Sequence, residues 1–137
     1  MSTKVRFRSA APPVPTTQRI AAACYFALSV IPGIHEVKLP GGDEIDVILT
    51  KGKTSYRIIL EEFDHVEDIG IGSRLSETKI EYGFIKDHCG ILDICLRAMQ
   101  VSDFAPKIDD LYTDGDHKGC EASFRIQGEG YYIIKVR

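Results

Sequence analysis

The sequence predicts an α+β domain in which two helices pack on one face of a mostly antiparallel sheet. Two segments have apolar residues at helical spacing, and short alternating segments with hairpin turns lie between and after them. Helices separated by runs of hairpin strands favour this arrangement over a parallel α/β sheet. We therefore predict a single two-layer domain over residues 16–137, preceded by a basic, Pro-rich arm over residues 1–15.

The first helix is predicted directly after the prolines of the arm. Thr16 or Thr17 is its predicted N-cap, and Pro32 and Gly33 are predicted to end it. Its apolar residues recur at the helical period: Ile20, Cys24, Ala27, Leu28 and Ile31. The helix is apolar on nearly all sides, so we expect it to be largely buried.

A meander of three strands is predicted next, over residues 34–39, 45–50 and 55–61. The turns between them, at 40–43 and 51–53, are rich in glycine and charged residues, as hairpin turns are. A Gly-rich loop follows, and the alternating pattern of residues 78–85 predicts a fourth strand.

The second helix is predicted to begin at Asp87, whose side chain is suited to an N-cap. Its apolar stripe consists of Ile91, Leu92, Cys95, Leu96 and Met99. Residues 102–119 are polar and rich in turn formers, so they are predicted to be a loop. The chain closes with a predicted hairpin of strands 121–127 and 131–137.

The charge distribution argues against nucleic acid as a partner. The net charge is −3, and the basic residues of the arm, Lys4, Arg6 and Arg8, precede a body with 14 basic and 20 acidic residues. Three cations ahead of an acidic body would bind a polyanion weakly at physiological salt. We interpret the start of the arm as an ordinary edge strand.

The apolar pattern predicts a soluble, cytoplasmic protein. The longest apolar stretch runs from Ile20 to Ile31, which is too short to cross a bilayer. The basic N-terminus is followed by prolines and lacks the layout of a secretory signal. We therefore expect the four cysteines, Cys24, Cys89, Cys95 and Cys120, to be reduced thiols.

Two short segments each combine an imidazole with a thiol, the usual ligands of zinc. The first holds His88 and Cys89, and the second holds His117 and Cys120. If the fold brings the segments together, these four side chains could form a tetrahedral zinc site. Their spacing is not that of a zinc finger, because the sequence has no CxxC knuckle.

Cys89 is also the candidate catalytic nucleophile. A helix that begins at Asp87 places Cys89 in its first turn, where the helix dipole favours a thiolate. His88 or His117 could act as the base. The carboxylate of Asp87 opposes this activation because it adds a negative charge nearby.

Part of the chain resembles the cobalt-precorrin methyltransferases of anaerobic cobalamin synthesis. The stretches TTQRIAAACYFAL and HEVKLPGGDEIDVIL are similar to the Ala-rich helix and LPxG turn near the start of that family. The matching residues are Thr16, Thr17, Ala21, Ala22, Ala23, Leu39, Pro40 and Gly42, then Lys86, Asp87 and Asp93 for the family's KD…DPD segment. The resemblance implies a related N-terminal fold and methyl transfer from S-adenosylmethionine onto a corrin.

The leading functional prediction is a small non-enzymatic binding or regulatory protein with an unidentified ligand. Its C-terminal hairpin is almost continuously apolar, which predicts a homo-oligomer in which a second copy covers one face. The alternatives are a metal-binding protein or enzyme built on His88, Cys89, His117 and Cys120, or a truncated relative of a corrin methyltransferase.

Overall fold

The computed structural model describes residues 14–50, 54–63, 72–80, 87–116 and 118–137. Its two helices are α1 (Thr16–Ser29) and α2 (His88–Gln100). Its strands are β1 (Ile34–Gly41), β2 (Glu44–Leu49), β3 (Ser55–Phe63), β4 (Ile108–Asp116), β5 (Gly119–Ile126) and β6 (Gly130–Val136). The predicted strand at the start of the arm and the predicted turn at 51–53 lie outside the described residues.

The six strands of the described chain form one antiparallel sheet in the order β1-β2-β3-β6-β5-β4. Each helix is followed by a three-stranded meander, so the chain contains two successive α-β-β-β units. The units meet along β3 and β6, where Leu60 lies opposite Ile134 at the centre of the sheet. The α+β prediction with a mostly antiparallel sheet is confirmed.

The core lies between the sheet and the two helices, which pack against each other on the same face. Alternate strand residues point into it, as the buried positions Ile45, Val47 and Leu49 of β2 show. Helix α1 covers the first meander and α2 covers β5 and β6. Among the described residues, the buried side chains include no charged group.

The predicted N-cap of α2 is confirmed, and that of α1 is wrong. The Asp87 carboxylate accepts a hydrogen bond of 3.1 Å from the Gly90 amide. Helix α1 has Pro15 at its N-cap position, without a side-chain hydrogen bond. Thr16 cannot serve as the cap because it is already helical, and its hydroxyl donates instead to Glu129 at 2.5 Å.

The segment 102–119, which was predicted to be a loop, contains strand β4 in its second half. Its composition misled the prediction because β4 lies at the edge of the sheet and exposes residues 112–115 to solvent. The ladder with β5 is interrupted between Asp109 and Tyr112, and Asp110 there has a positive φ of 51°. Aspartate tolerates this left-handed conformation better than most residues.

The strand predicted over residues 78–85 does not begin where expected. Residues 78–80 are not in a strand, and 81–86 lie outside the described residues. A short 3₁₀ turn, Leu75–Glu77, precedes them. The amide of Gln100, at the end of α2, donates to the carbonyl oxygen of Thr78 at 2.7 Å. Residues 78–80 are therefore bound to the end of α2.

The C-terminal hairpin, β5 and β6, lies inside the sheet, because β6 pairs with β3 and β5 pairs with β4. Tyr132, Ile134 and Val136 point into the core, whereas Tyr131 and Ile133 are half-buried on the opposite face. No helix of the described chain has the length and apolar character needed to cross a membrane.

Candidate functional site

The structure brings Cys89 and Cys120 into direct contact. Cys89 lies in the first turn of α2, and Cys120 is the second residue of β5, which α2 packs against. Their sulfur atoms are 2.7 Å apart, although 31 residues separate them in sequence. Both are free thiols in this state, and a disulfide bond of about 2.05 Å would need only a small adjustment.

The two thiols differ in access to solvent. Cys89 is exposed, whereas only 6 % of Cys120 is exposed. A reagent from solution therefore reaches the Cys89 sulfur first. Cys120 lies behind Cys89, where its sulfur can react with an oxidised form of the Cys89 sulfur.

Gly115 of β4 makes room for the Cys120 side chain. It lies opposite Cys120 in the β4–β5 ladder. A Cβ atom at position 115 would lie 2.7 Å from the Cys120 sulfur and 3.4 Å from the Cys89 sulfur. The sulfur of Cys120 therefore occupies the space that a side chain at 115 would need.

The environment keeps the thiol of Cys120 protonated. Burial, the hydrogen bond with Cys89 and the nearby charges of Cys89 and Asp93 together raise the pKa of Cys120 to about 12. Burial and the carboxylate of Asp87 in turn raise the pKa of Asp93. At neutral pH the Cys120 thiol is therefore protonated, and a protonated thiol is a weak nucleophile.

A shallow cleft of about 340 Å³ opens at the thiol pair. It lies between the first turns of α2 and the end of β4. Both sulfur-bearing residues line it, with Leu92 and Thr113 as neutral neighbours. Among the described lining residues, Asp93 and Asp114 are the charged ones, so the cleft is acidic.

The predicted zinc ligands do not all meet within the described residues. The ring of His88 contacts Tyr56 of β3 edge to face, with centroids 4.7 Å apart. His117 lies outside the described residues. No group of three or more potential metal ligands occurs in the part of the chain that the structure describes. The structure brings the thiols Cys89 and Cys120 together, a question that the sequence left open, and the zinc site stays a prediction.

A second pair of cysteines, Cys24 of α1 and Cys95 of α2, lies in the core. Both are fully buried, and the Cys24 thiol lies 3.9 Å from the Cys95 carbonyl oxygen. A hydrogen bond with Cys24 and burial raise the pKa of Cys95 well above its ordinary value. The four cysteines therefore form one pair with an exposed member, Cys89, and one pair in which both members are buried.

Sequence reasoning did not find Asp93, Asp114 or Gly115 as parts of the site. Asp93 follows Cys89 by four residues, which places the two on one face of α2, so its spacing was a usable signal. Asp114 and Gly115 gave no such signal, since they lie in the segment predicted to be a loop. Their place at the site depends on β4 pairing with β5.

Comparison with known protein families, with curated proteins and with solved structures finds no match for this chain. The resemblance to cobalt-precorrin methyltransferases stays a prediction. Its first matching residues, Thr16 and Thr17, begin α1, and Pro40 lies near the end of β1. Asp87 is the N-cap of α2, and Lys86 lies outside the described residues.

Proposed function

We propose that this protein is a small redox-responsive regulatory protein whose functional site is the pair of thiols Cys89 and Cys120. The observation that carries the proposal is the distance of 2.7 Å between the two sulfur atoms. The switch converts two thiols into one disulfide bond between the start of α2 and the start of β5. It combines the regulatory role predicted from the sequence with the chemistry of its Cys89 and Cys120 segments.

Oxidation by a hydroperoxide proceeds in two balanced steps. The Cys89 thiolate attacks the peroxide oxygen, which breaks the O–O bond, releases water after protonation and leaves a sulfenic acid on Cys89. The Cys120 sulfur then attacks the Cys89 sulfur, and the sulfenic hydroxyl leaves with the Cys120 proton as water. Two electrons pass from the thiols to the peroxide, and a thiol reductant reverses the change.

The second pair of cysteines supports the selectivity of this switch. Cys24 and Cys95 are fully buried, so an oxidant in solution does not reach them without unfolding. The exposed Cys89 is open to oxidants and to the reductant that would reset the switch. A cytoplasmic location, which remains our prediction, would keep the resting pair reduced.

Peptide mapping after mild oxidation tests the proposal. Reduced protein is treated with stoichiometric hydrogen peroxide, alkylated under denaturing conditions and digested. We expect a linked peptide pair that joins Cys89 to Cys120 and lacks two hydrogens, with Cys24 and Cys95 alkylated. In the Cys120→Ser variant, Cys89 should remain a sulfenic acid that a dimedone probe traps.

Two results would overturn the proposed switch. One is overoxidation of Cys89 to a sulfinic acid while Cys120 stays free. The other is preferential linkage of Cys24 to Cys95. The zinc alternative is tested separately, by native mass spectrometry of protein purified without chelators. A zinc adduct that blocks alkylation of both Cys89 and Cys120 would favour a metal site.

We propose, second, a homo-oligomer that forms through the C-terminal hairpin. Fewer surfaces of the hairpin are open to a second copy than the sequence implied. Both edges of β6 are paired, so a second copy would have to cover the face opposite the helices, where Tyr131 and Ile133 are half-buried. Light scattering that gives a monomer mass at high micromolar concentration would contradict it.

A further inference from the structure

The acidic cleft beside the thiol pair suggests which oxidants the pair accepts. Asp93 on α2 and Asp114 on β4 line this cleft together with Cys89 and Cys120. Asp93 lies one helical turn after Cys89, and Asp114 directly precedes Gly115, which faces both sulfur atoms. A molecule that reaches Cys89 through the cleft therefore passes two carboxylates.

The nearby cations line a second cleft, next to the one at the thiol pair. Lys118 and Arg137 line this adjoining cleft of about 250 Å³, which shares Asp114 and Gly115 with the first and also contains Glu121. The guanidinium of Arg137 donates to the Glu121 carboxylate at 3.2 Å. These cations do not line the cleft that opens at the thiol pair. Asp87, two residues before Cys89, adds a further negative charge at the start of α2.

We infer that Asp93 and Asp114 make the thiol pair selective by charge, so that it exchanges with cationic or neutral low-molecular-weight disulfides in preference to anionic ones. This inference rests on the proposed thiol switch and names the class of its reaction partner. The basis is the pair of carboxylates that lines the approach to the exposed sulfur. Charges within about 10 Å of a reacting group act on it at 0.1 M salt, and higher salt screens them.

The exchange balances without a further reactant. The Cys89 thiolate attacks one sulfur of the disulfide R–S–S–R, forms a Cys89–S–R bond and releases one thiolate RS⁻. Cys120 then loses its proton and attacks the Cys89 sulfur, which forms the internal disulfide and releases the second RS⁻. The two cysteine thiols are oxidised, and one small disulfide is reduced to two thiols.

The first step is measured in a Cys120→Ser background, where the mixed disulfide on Cys89 accumulates. Three probes share a similar size and differ in charge: cystamine is dicationic, 2-hydroxyethyl disulfide is neutral and dithiodipropionate is dianionic. At 10 mM salt we expect the cationic probe to react at least roughly tenfold faster than the anionic one. At 0.5 M salt the difference should largely disappear.

The Asp93→Asn/Asp114→Asn double variant should bring the three rates together at low salt. A matched control changes the net charge equally but away from the cleft: Asp103→Asn/Glu77→Gln, at two exposed positions. The control should keep the discrimination of the parent. Thermal unfolding by circular dichroism verifies that each variant is folded before its rates are compared.

The outcomes separate the inference from the function on which it rests. Equal rates for the three probes at low salt, or equal loss of discrimination in the control, would overturn the charge selection alone. If the chain with all four cysteines forms no Cys89–Cys120 disulfide with any probe or with peroxide, the proposed switch itself fails. An order of cationic, neutral and anionic rates that only the cleft variant removes supports the inference.

Discussion

The carboxylate of Glu129, in the turn between β5 and β6, accepts a hydrogen bond of 2.5 Å from the Thr16 hydroxyl at the start of α1. The guanidinium of Arg19 donates to both carboxylate oxygens at 3.1 Å. Glu129 thus places a negative charge at the helix N-terminus that lacks its own side-chain cap. The threonine predicted as the cap therefore donates a hydrogen bond to a residue distant in sequence and does not accept one from a helix amide.

Replacing this carboxylate should destabilise the fold measurably. We expect Glu129→Ala to lower the free energy of unfolding by about 1–2 kcal/mol, since the contacts are charge-assisted but partly open to solvent. Glu129→Gln, which keeps an acceptor, should lose less. Urea unfolding measures both, and Glu77→Gln, at an exposed turn, is the control. No effect of Glu129→Ala would show that α1 docks through its apolar face alone.

Formation of the Cys89–Cys120 disulfide should stabilise the protein. Closing a loop of about 31 residues stabilises by roughly 3–4 kcal/mol through the entropy of the unfolded chain. For a domain of this size we expect the melting temperature to rise by about 10 °C on oxidation. Calorimetry of the oxidised and reduced forms measures the shift. The Cys120→Ser variant should show none, and a lower melting temperature after oxidation would indicate a strained bond.

The reaction of Cys120 should depend steeply on pH. Its raised pKa, about 12, leaves little thiolate at neutral pH, and burial, the main cause, persists when Cys89 carries a mixed disulfide. The rate of internal disulfide formation from that intermediate should rise about tenfold per pH unit between pH 6 and 9. Stopped-flow quenching with mass detection follows it. A plateau below pH 9 would mean that the Cys120 thiol titrates like an ordinary one.

The same shift affects stability at alkaline pH. The folded pKa of Cys120 lies above its unfolded value of about 8.5, so the folded state retains a proton that the unfolded state loses. The stabilising contribution is complete below the unfolded pKa and decreases as the pH rises toward 12. The difference between the unfolding free energies at pH 8 and pH 10 should therefore become smaller when Cys120 is replaced by serine, while the buried Cys95, whose pKa is also raised, contributes to it in both proteins.

An added methyl group at position 115 should slow the switch. Gly115→Ala places a Cβ atom 2.7 Å from the Cys120 sulfur, closer than ordinary contact allows, so we expect that sulfur to rotate away. A displaced rotamer costs about 0.5–1.5 kcal/mol, which corresponds to roughly 3–10-fold slower disulfide formation. Gly41→Ala, which meets no atom within 4 Å, is the control. Unchanged kinetics in Gly115→Ala would mean that the sulfurs meet in another rotamer.

Gly72 is expected to be intolerant of any side chain. A Cβ atom there would lie 2.4 Å from the backbone carbonyl carbon of Asp110, at the left-handed residue of β4. Backbone cannot move aside as a flexible side chain does, so Gly72→Ala should cost about 1–3 kcal/mol of stability. Chemical denaturation against the Gly41→Ala control measures this. A neutral Gly72→Ala would show that the contact between this loop and β4 opens readily.

The periodicity of apolar residues was enough to predict most of the fold. The stripes of α1 and α2 and the alternation of β2, β3 and β6 were readable because these elements each bury one face in a common core. Strand β4 was not readable, since its polar residues reflect solvent exposure at the sheet edge. Its hydrogen-bonding partner, β5, follows it in sequence, but nothing in the composition marked the pairing.

Only part of the candidate site could be predicted from the sequence. Residue type singled out the segments of Cys89 and Cys120 as candidates but did not show that they meet; packing of α2 on β5 brings the two sulfurs together. His88 could not be assigned, because successive residues of a helix point about 100° apart, and its ring contacts Tyr56. The acidic character of the cleft required the position of β4, which the sequence did not reveal.

The arrangement of the two α-β-β-β units has a consequence for how the chain unfolds. The first unit's helix is held by Glu129 beside β6, and the second unit's helix begins with His88 against Tyr56 of β3. Each unit therefore holds the helix of the other in place. Separating the two units would leave β3 and β6 each with one edge whose backbone groups lack hydrogen-bond partners. The two halves should melt as one cooperative unit, so a disulfide bond formed within the second unit would also stabilise the first.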